Sequence, residues 1–392
     1  MRQSGGRNHE RAHLSHINSK TDEKFSIESH LASPEVSLDE YVRSCQIALA
    51  KGLEQRKAIY LDTKYWIILR DAAAGICTSE DSLQLLALLR ANVASAKIFC
   101  PISDSTFAEL FKQRDAKTRQ ATAQLIDELS LGVSLLPFDE RIITEFQNFI
   151  YAKGEQQNLP PPRHLVWTKL SYVLGWVHPT QKGFDSATEL ALQKAFFDHM
   201  WSIPLTEVVA TIGDAMPPDE SRFQSLADRL NAGNSEHADE LRSFQQTYAV
   251  EIRGAIDLFA AEAADIVCDI AERATRKHLP RDGVEWSTYV REWKGFLNAA
   301  FMKEDVQDAL RTLHINTCLH AAVRWNKGRQ LAANDFHDFH HAAAALGYCD
   351  VFLTERSLKA MVTASNIALD KRFNCEVRAG LPDALKLLRL GT

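Results

Sequence analysis

Four carboxylates stand where an α/β sheet would expose one edge to a ligand. Asp62 closes the apolar run KAIYLD, and Glu355 follows the apolar run VFLT. Glu109 lies in the early turns of a helix that opens at DSTFAELFKQ, and Asp338 starts the small-residue helix within DFHDFHHAAAALGY. In an open parallel sheet, ligands bind outside the carboxyl ends of the strands, where the strand order reverses. The handedness of crossover connections puts Glu109 on that same side. Like charges gathered there raise one another's pKa unless a cation neutralises them. Mg²⁺ or Mn²⁺, which prefer oxygen ligands, are the economical partners. Such an ion polarises a phosphoryl oxygen and activates water for in-line attack on a phosphodiester. Asp335, one turn before Asp338, is an alternative ligand.

Each residue also has a structural reading. Asp338 can cap a helix, and Glu109 favours the helix macrodipole from its early position. Asp350 reads as a turn residue before a strand. His337 and His341 share a helix face, yet with His340 they read as helix-surface or supporting groups rather than ligands. The basic residues Lys112, Arg114, Lys117 and Arg119, and the cluster Arg324, Lys327 and Arg329, flank two of the acidic motifs. They are either solvated faces or weak substrate contacts that track phosphates.

The elements that must position these groups follow from hydrophobic periodicity. Residues 1–34 are polar and predict a flexible arm. Ser37 and Glu40 form a capping box for a helix with Tyr41, Cys45, Leu49 and Leu53 along one stripe. Strands are expected at 57–62, 96–103 and 132–138, each followed by a helix, which is the signature of a parallel sheet with crossover helices. The helix at 80–95 is expected to bury Leu83, Leu86, Leu89 and Val93. From the triple proline at 160–162 onward the pattern changes. Residues 155–327 read as an all-helical insertion whose longest helix, from about Ser235 to His278, carries Leu241, Phe244, Tyr248, Ile252, Ile256, Phe259, Ala263, Ile266 and Ile270 at three- and four-residue steps. The α/β pattern returns over 328–392, ending in a strand at NCEVR and a helix at PDALKLLRL. The first part of the α/β domain thus spans 35–154 and the second 328–392.

The chain of 392 residues has an ordinary balance, 45% apolar and 24% charged. A net charge of −6 argues against a surface built wholly to hold nucleic acid, while a local basic groove stays compatible with it. Seven dispersed cysteines without ligand spacing suit a reducing cytoplasm. The polar N-terminus is no signal peptide, and no stretch reaches the roughly 20 apolar residues of a membrane span.

The acidic motifs resemble those of the PIN-domain nucleases. LDTKYWIIL is similar to that family's opening motif, and STFAELF to its second. DFHHAAAALGYCDVFLTE is similar to its third and fourth, and NCEVRAGLPDALKLL to its closing strand and helix. The resemblance covers roughly 57–150 and 328–392. It implies a PIN-like parallel sheet flanked by helices and a Mg²⁺- or Mn²⁺-dependent ribonuclease, acting on RNA rather than single-stranded DNA. Carried over by motif, Asp62, Glu109, Asp338 and Glu355 become the metal ligands, Thr63 orients Asp62, and Thr354 supports the last acid. Two departures stand out. Lys64 occupies the place of the usual Asn, where it contacts a phosphate or forms a competing ion pair. The last acid comes directly after Thr354, and Arg356 occupies the place where many members carry an Asp. These departures motivate a second hypothesis, a catalytically weakened PIN-like scaffold that binds nucleic acid or a partner protein. A third takes His337-Asp338 as the metal dipeptide of an all-helical HD-type phosphohydrolase. A homo-oligomer or an antitoxin-like partner stays open.

Overall fold

The structure is a computed structural model that describes residues 27–154, 159–180, 183–214, 220–236 and 242–391. Most of the arm expected over 1–34, and Leu241 of the expected long helix, lie outside these residues. The remainder of the arm departs from expectation. Ile27–Leu31 forms a short helix, α1, whose His30 is buried and contacts Asp198 at 2.7 Å. The helix Leu38–Leu53, α2, starts at the expected capping box: Glu40 N donates to Ser37 Oγ at 3.3 Å, and Ser37 N donates to Glu40 at 3.0 Å.

The α/β part then unrolls in chain order. Strand β1 (Lys57–Leu61) leads into α3 (Thr63–Ala73) and α4 (Glu80–Ala94), and β2 (Ile98–Phe99) into α5 (Asp104–Phe111) and α6 (Ala116–Ser130). Strand β3 (Val133–Leu135) leads into α7 (Phe138–Lys153), and β4 is Trp167–Lys169. After it come α8 (Ser186–Ser202), α9 (Leu205–Ile212), α10 (Glu220–Glu236), α11 (Phe244–Thr275), α12 (Gly283–Ala300), α13 (Glu304–Ala309) and α14 (Arg311–Trp325). The chain closes with α15 (Ala333–Tyr348), β5 (Val351–Thr354), α16 (Arg356–Val362), α17 (Leu369–Arg372), β6 (Glu376–Ala379) and α18 (Leu381–Gly391).

Four strands make one parallel sheet in the order β2-β1-β5-β6. The chain leaves β1 on one side for β2 and returns 290 residues later on the other as β5, so the order reverses between them. Tyr60 pairs with Phe352 and Leu61 with Leu353 in this central register. Alternation along the strands feeds two cores, as a period of two demands. Ala58, Tyr60, Phe99 and Phe352 point into the core shared with the helical region, and Ile59, Leu61, Ile98 and Leu353 into the other.

Three expectations are corrected. Strand β3 does not continue the four-stranded sheet; it touches it through a single bridge, Ile102 with Ser134, and pairs antiparallel with β4. Since β4 falls within 155–327, that insertion is not all-helical. In α4 the buried residues include Leu85, Leu86, Leu89 and Val93, whereas Leu83 is exposed. The long helix is borne out over Phe244–Thr275, with Tyr248, Ile252, Ile256, Ala263 and Ile266 buried. It packs beside α12 and α14, in the same core as the face of β1 that carries Tyr60.

Candidate functional site

Asp62 is the first residue past β1. Its N–H still donates to Leu353 O at 3.0 Å, so the ladder carries it to the end of β5. The backbone then turns into α3, and Asp62 serves as N-cap with a long 3.4 Å contact from Lys64 N to Oδ1. Its Oδ2 accepts from Thr354 Oγ1 at 2.8 Å, and the side chain is 6% exposed. This corrects the role expected of Thr63. Thr354 orients Asp62, while the Thr63 hydroxyl donates to Glu109 Oε2.

Glu109 is held from the other side as well. His341 Nε2 lies 2.8 Å from the same Oε2, and His341 Nδ1 lies 2.6 Å from the Tyr60 hydroxyl. That hydroxyl in turn lies 2.6 Å from Ser103 Oγ. Burial opposes charge on both members of the His341–Glu109 pair. The Tyr60 oxygen and the Glu109 carboxylate nevertheless raise His341 well above its ordinary value, and its hydrogen bond and charge hold Glu109 at about 2. An imidazolium donating from both ring nitrogens satisfies this geometry. The other two histidines behave differently. Burial, with Lys112 nearby, lowers His337 to about 4, and burial lowers His340 to about 4, where it stacks on Phe138 at 4.0 Å. His337 and His341 are buried rather than on the helix surface, and His340 is half-buried.

Asp338 shares the α15 face with His341, three residues on. Burial, Asp62 and Glu109 push its carboxyl up to about 7, and Asn334 Nδ2 donates to its Oδ1 at 3.3 Å. Glu355 is the N-cap residue of α16, and its Oε1 pairs with Lys64 Nζ at 3.4 Å with both side chains about half exposed. Lys64 is thus engaged in an ion pair with Glu355. Asp62, Glu109, Asp338 and Glu355 line one pocket of about 390 Å³, together with Thr63, Lys64, Asn334 and two apolar side chains, Ile67 and Ile68. The pocket sits at the carboxyl edge beside the reversal of strand order, where α/β sheets bind ligands.

Asp335 does not join it. Its Oδ1 accepts from Arg329 Nη2 at 2.7 Å and its Oδ2 from Ala332 N at 2.8 Å, which makes it the cap of α15. Asp350 anchors β1 by accepting from Ala58 N at 2.7 Å. Among the basic residues, Arg324 is committed to Glu251 at 2.6 Å, and buried Arg119 to Asp214 and the carbonyls of Gln113 and Gly213. Lys112 ends α5, near His337, and Arg114 is exposed just beyond it. The HD-type alternative loses its basis. A parallel sheet is incompatible with the all-helical fold it needs, and His314 is bound to the Tyr248 hydroxyl at 2.7 Å in the core.

Among the described residues, no group of three or more His, Cys, Asp or Glu side chains is drawn together tightly enough to form a ready metal cage. The donor set still suits a hard divalent cation. Such ions are commonly held by one or two carboxylates, with waters and substrate phosphates completing the shell. Asp62 and Asp338, which line the same pocket, would be the pair to hold one. Asp62 is anchored through Oδ2, and Asp338 carries the charge that burial and its acidic neighbours penalise most.

The His341–Glu109 clamp escaped the sequence reading, although Asp338 and His341 are three apart and must share a helix face. No helix among the described residues is long and apolar enough to cross a membrane. No family model, no curated protein and no solved structure matches the chain.

Proposed function

We propose that the protein is a divalent-metal-dependent nuclease of the PIN-like kind that hydrolyses phosphodiester bonds, with RNA as its substrate. The observation that supports this reading most is the meeting of Asp62, Glu109, Asp338 and Glu355 in one pocket at the switch point of the sheet. A solvated acidic patch would be cheaper without burial, whereas here an Asp carboxyl is lifted to about 7 by its acidic neighbours and its surroundings. Strain of that sort clusters at functional sites.

Asp62 and Asp338 would hold Mg²⁺ or Mn²⁺, with Glu109 as a further oxygen. When bound, the ion supplies Lewis-acid polarisation of a phosphoryl oxygen and activation of the attacking water. The chain's own residues do the rest. Thr354 fixes the direction of Asp62, and Thr63 and His341 fix Glu109. Lys64, half exposed in its pair with Glu355, would exchange that partner for a substrate phosphate.

The test is cleavage of a labelled single-stranded RNA by the full chain with Mg²⁺ or Mn²⁺, against EDTA and against Asp62→Asn and Asp338→Asn. Metal-dependent cleavage lost in both variants is the expected result. No cleavage with either ion, or variants as active as the wild type, overturns the reading. The second reading, a catalytically weakened scaffold, is favoured by one observation: the Lys64–Glu355 pair already neutralises the fourth carboxylate. Calorimetry with Mn²⁺ separates the two, because a site that has lost its ion gives no Asp62-dependent heat.

A further inference from the structure

We propose that an open pocket next to the carboxylates is a subsite for one unpaired nucleotide, with Trp325 as the surface on which its base stacks. The inference rests on the nuclease reading above and names the form of the substrate. The pocket measures about 770 Å³ and is lined by Trp325, Lys327, Arg329, Ser357, Ala360 and Met361, among others.

Trp325 is the last residue of α14, a helix that buries most of its length in the core, and yet it is 40% exposed. An indole left in water at the rim of a cavity forgoes much of the stabilisation that burial gives an aromatic side chain. It offers a flat apolar face to a ligand instead. The chain beyond it is a tight turn, with Arg329 N donating to Asn326 O at 2.8 Å and Gly328 N to Asn326 Oδ1 at 3.2 Å. Lys327 and Arg329, in and just after that turn, line the same pocket as the indole. Arg329 is steadied by its bond to Asp335, on the helix that carries Asp338 three residues later.

Helix α16 joins the two pockets. Glu355, its N-cap residue, lines the carboxylate pocket, while Ser357, Ala360 and Met361 line the other. From Glu355 to Met361 the helix advances about 9 Å, a span that a short piece of single strand covers. The charges complement such an occupant. An acidic pocket repels a phosphate backbone until a cation enters, so attraction for the flanking phosphates must come from neighbouring cations. On this side Lys327 and Arg329, the latter also paired with Asp335, line the pocket. A base can lie on Trp325 only after leaving a duplex stack, and aromatic platforms flanked by basic groups are the usual device for single strands.

The experiment is fluorescence anisotropy of the full chain with a fluorescein-labelled oligouridine RNA in EDTA, so that nothing is cleaved. Trp325→Ala is expected to weaken binding about 10-fold, and Trp325→Phe to stay within about threefold of the wild type, because stacking is sequence-tolerant and needs only a π-face. Lys327→Ala is expected to reduce the salt dependence of binding by about one unit of slope. A fully paired duplex should not distinguish Trp325→Ala from the wild type. Equal single-strand binding by the wild type and Trp325→Ala overturns the subsite, as does an equal loss for duplex and single strand. Mn²⁺-dependent cleavage by the wild type, measured separately, reports on the carboxylates alone, so the two ideas can fail independently. A protein partner on this face would appear as oligonucleotide binding indifferent to both variants, which also overturns the proposal.

Discussion

Replacing Asp338 with Asn should stabilise the protein, and by an amount that depends on pH in a definite way. The carboxyl is raised from 3.8 to about 7 by burial, Asp62 and Glu109. A shift of about three units corresponds to roughly 4 kcal/mol between the charged and neutral forms. Relaxation and water entry around a partly exposed group cut that to about 2 kcal/mol. The sign follows from linkage. With the folded value above the unfolded one, the fold favours the protonated acid. That advantage is complete below about pH 4 and is lost as pH rises toward 7. Asn mimics the protonated acid at every pH. The gain of Asp338→Asn over wild type should therefore be near zero at about pH 4 and climb to about 2 kcal/mol at pH 8. Urea unfolding in EDTA across this range measures it. Introducing Asp62→Asn as the background should flatten the climb, because the Asp62 charge is one of its causes. Adding Mn²⁺ should reverse the order of stability at pH 8, since only the wild type keeps both carboxylates. A gain that is constant with pH, or a variant less stable than wild type at pH 8 in EDTA, refutes the reasoning.

Other consequences can be measured directly. His341→Gln strips the charge from a buried pair and should cost about 3–5 kcal/mol in denaturant unfolding. Since His341 is raised, the deficit is greatest below about pH 6.5 and shrinks as pH climbs through its folded value. Thr354→Val removes the hydroxyl that steers Asp62. It should lower Mn²⁺ affinity about 10- to 100-fold in calorimetry while leaving the far-ultraviolet circular dichroism intact. Gly175→Ala forces a side chain into the left-handed region at φ +107 and brings its Cβ within 2.5 Å of the Glu140 carboxylate. A melting-point drop corresponding to about 1–3 kcal/mol is expected.

Much of this architecture could be read from residue order, for reasons that differ by element. Apolar runs leading into an acid, such as KAIYLD and VFLTE, give away central strands because both of their faces are buried, and β1 and β5 are the two innermost strands. From that placement the meeting of Asp62 with Glu355 follows. Strand β4 could not be found this way. Trp167–Lys169 is three residues long and is held by pairing with β3, so no periodicity marks it. Asp335 and Asp338 illustrate another limit. One turn apart, both acidic and near a helix start, they are separated only by tertiary partners: Arg329 and the Ala332 amide claim the first, and the pocket takes the second. The role of Thr354 was likewise set by strand register, which brings its hydroxyl to Asp62, and that of Thr63 by the packing of α3 beside α5, which brings its hydroxyl to Glu109.

The bond between Thr354 and Asp62 closes a loop of 292 residues, a closure whose chain-entropy cost is on the order of 5 kcal/mol. This has a consequence for how activity is born. During synthesis Asp62 and Glu109 leave the ribosome long before Asp338, His341 and Thr354 exist. A nascent chain thus holds half a pocket, with Thr63 beside Glu109 but without the Thr354 and His341 side chains that complete the hold on Asp62 and Glu109. On the nuclease reading proposed above, such an arrangement would keep a growing chain harmless to the message it is being read from. On that reading, competence would await the pairing of β5 beside β1.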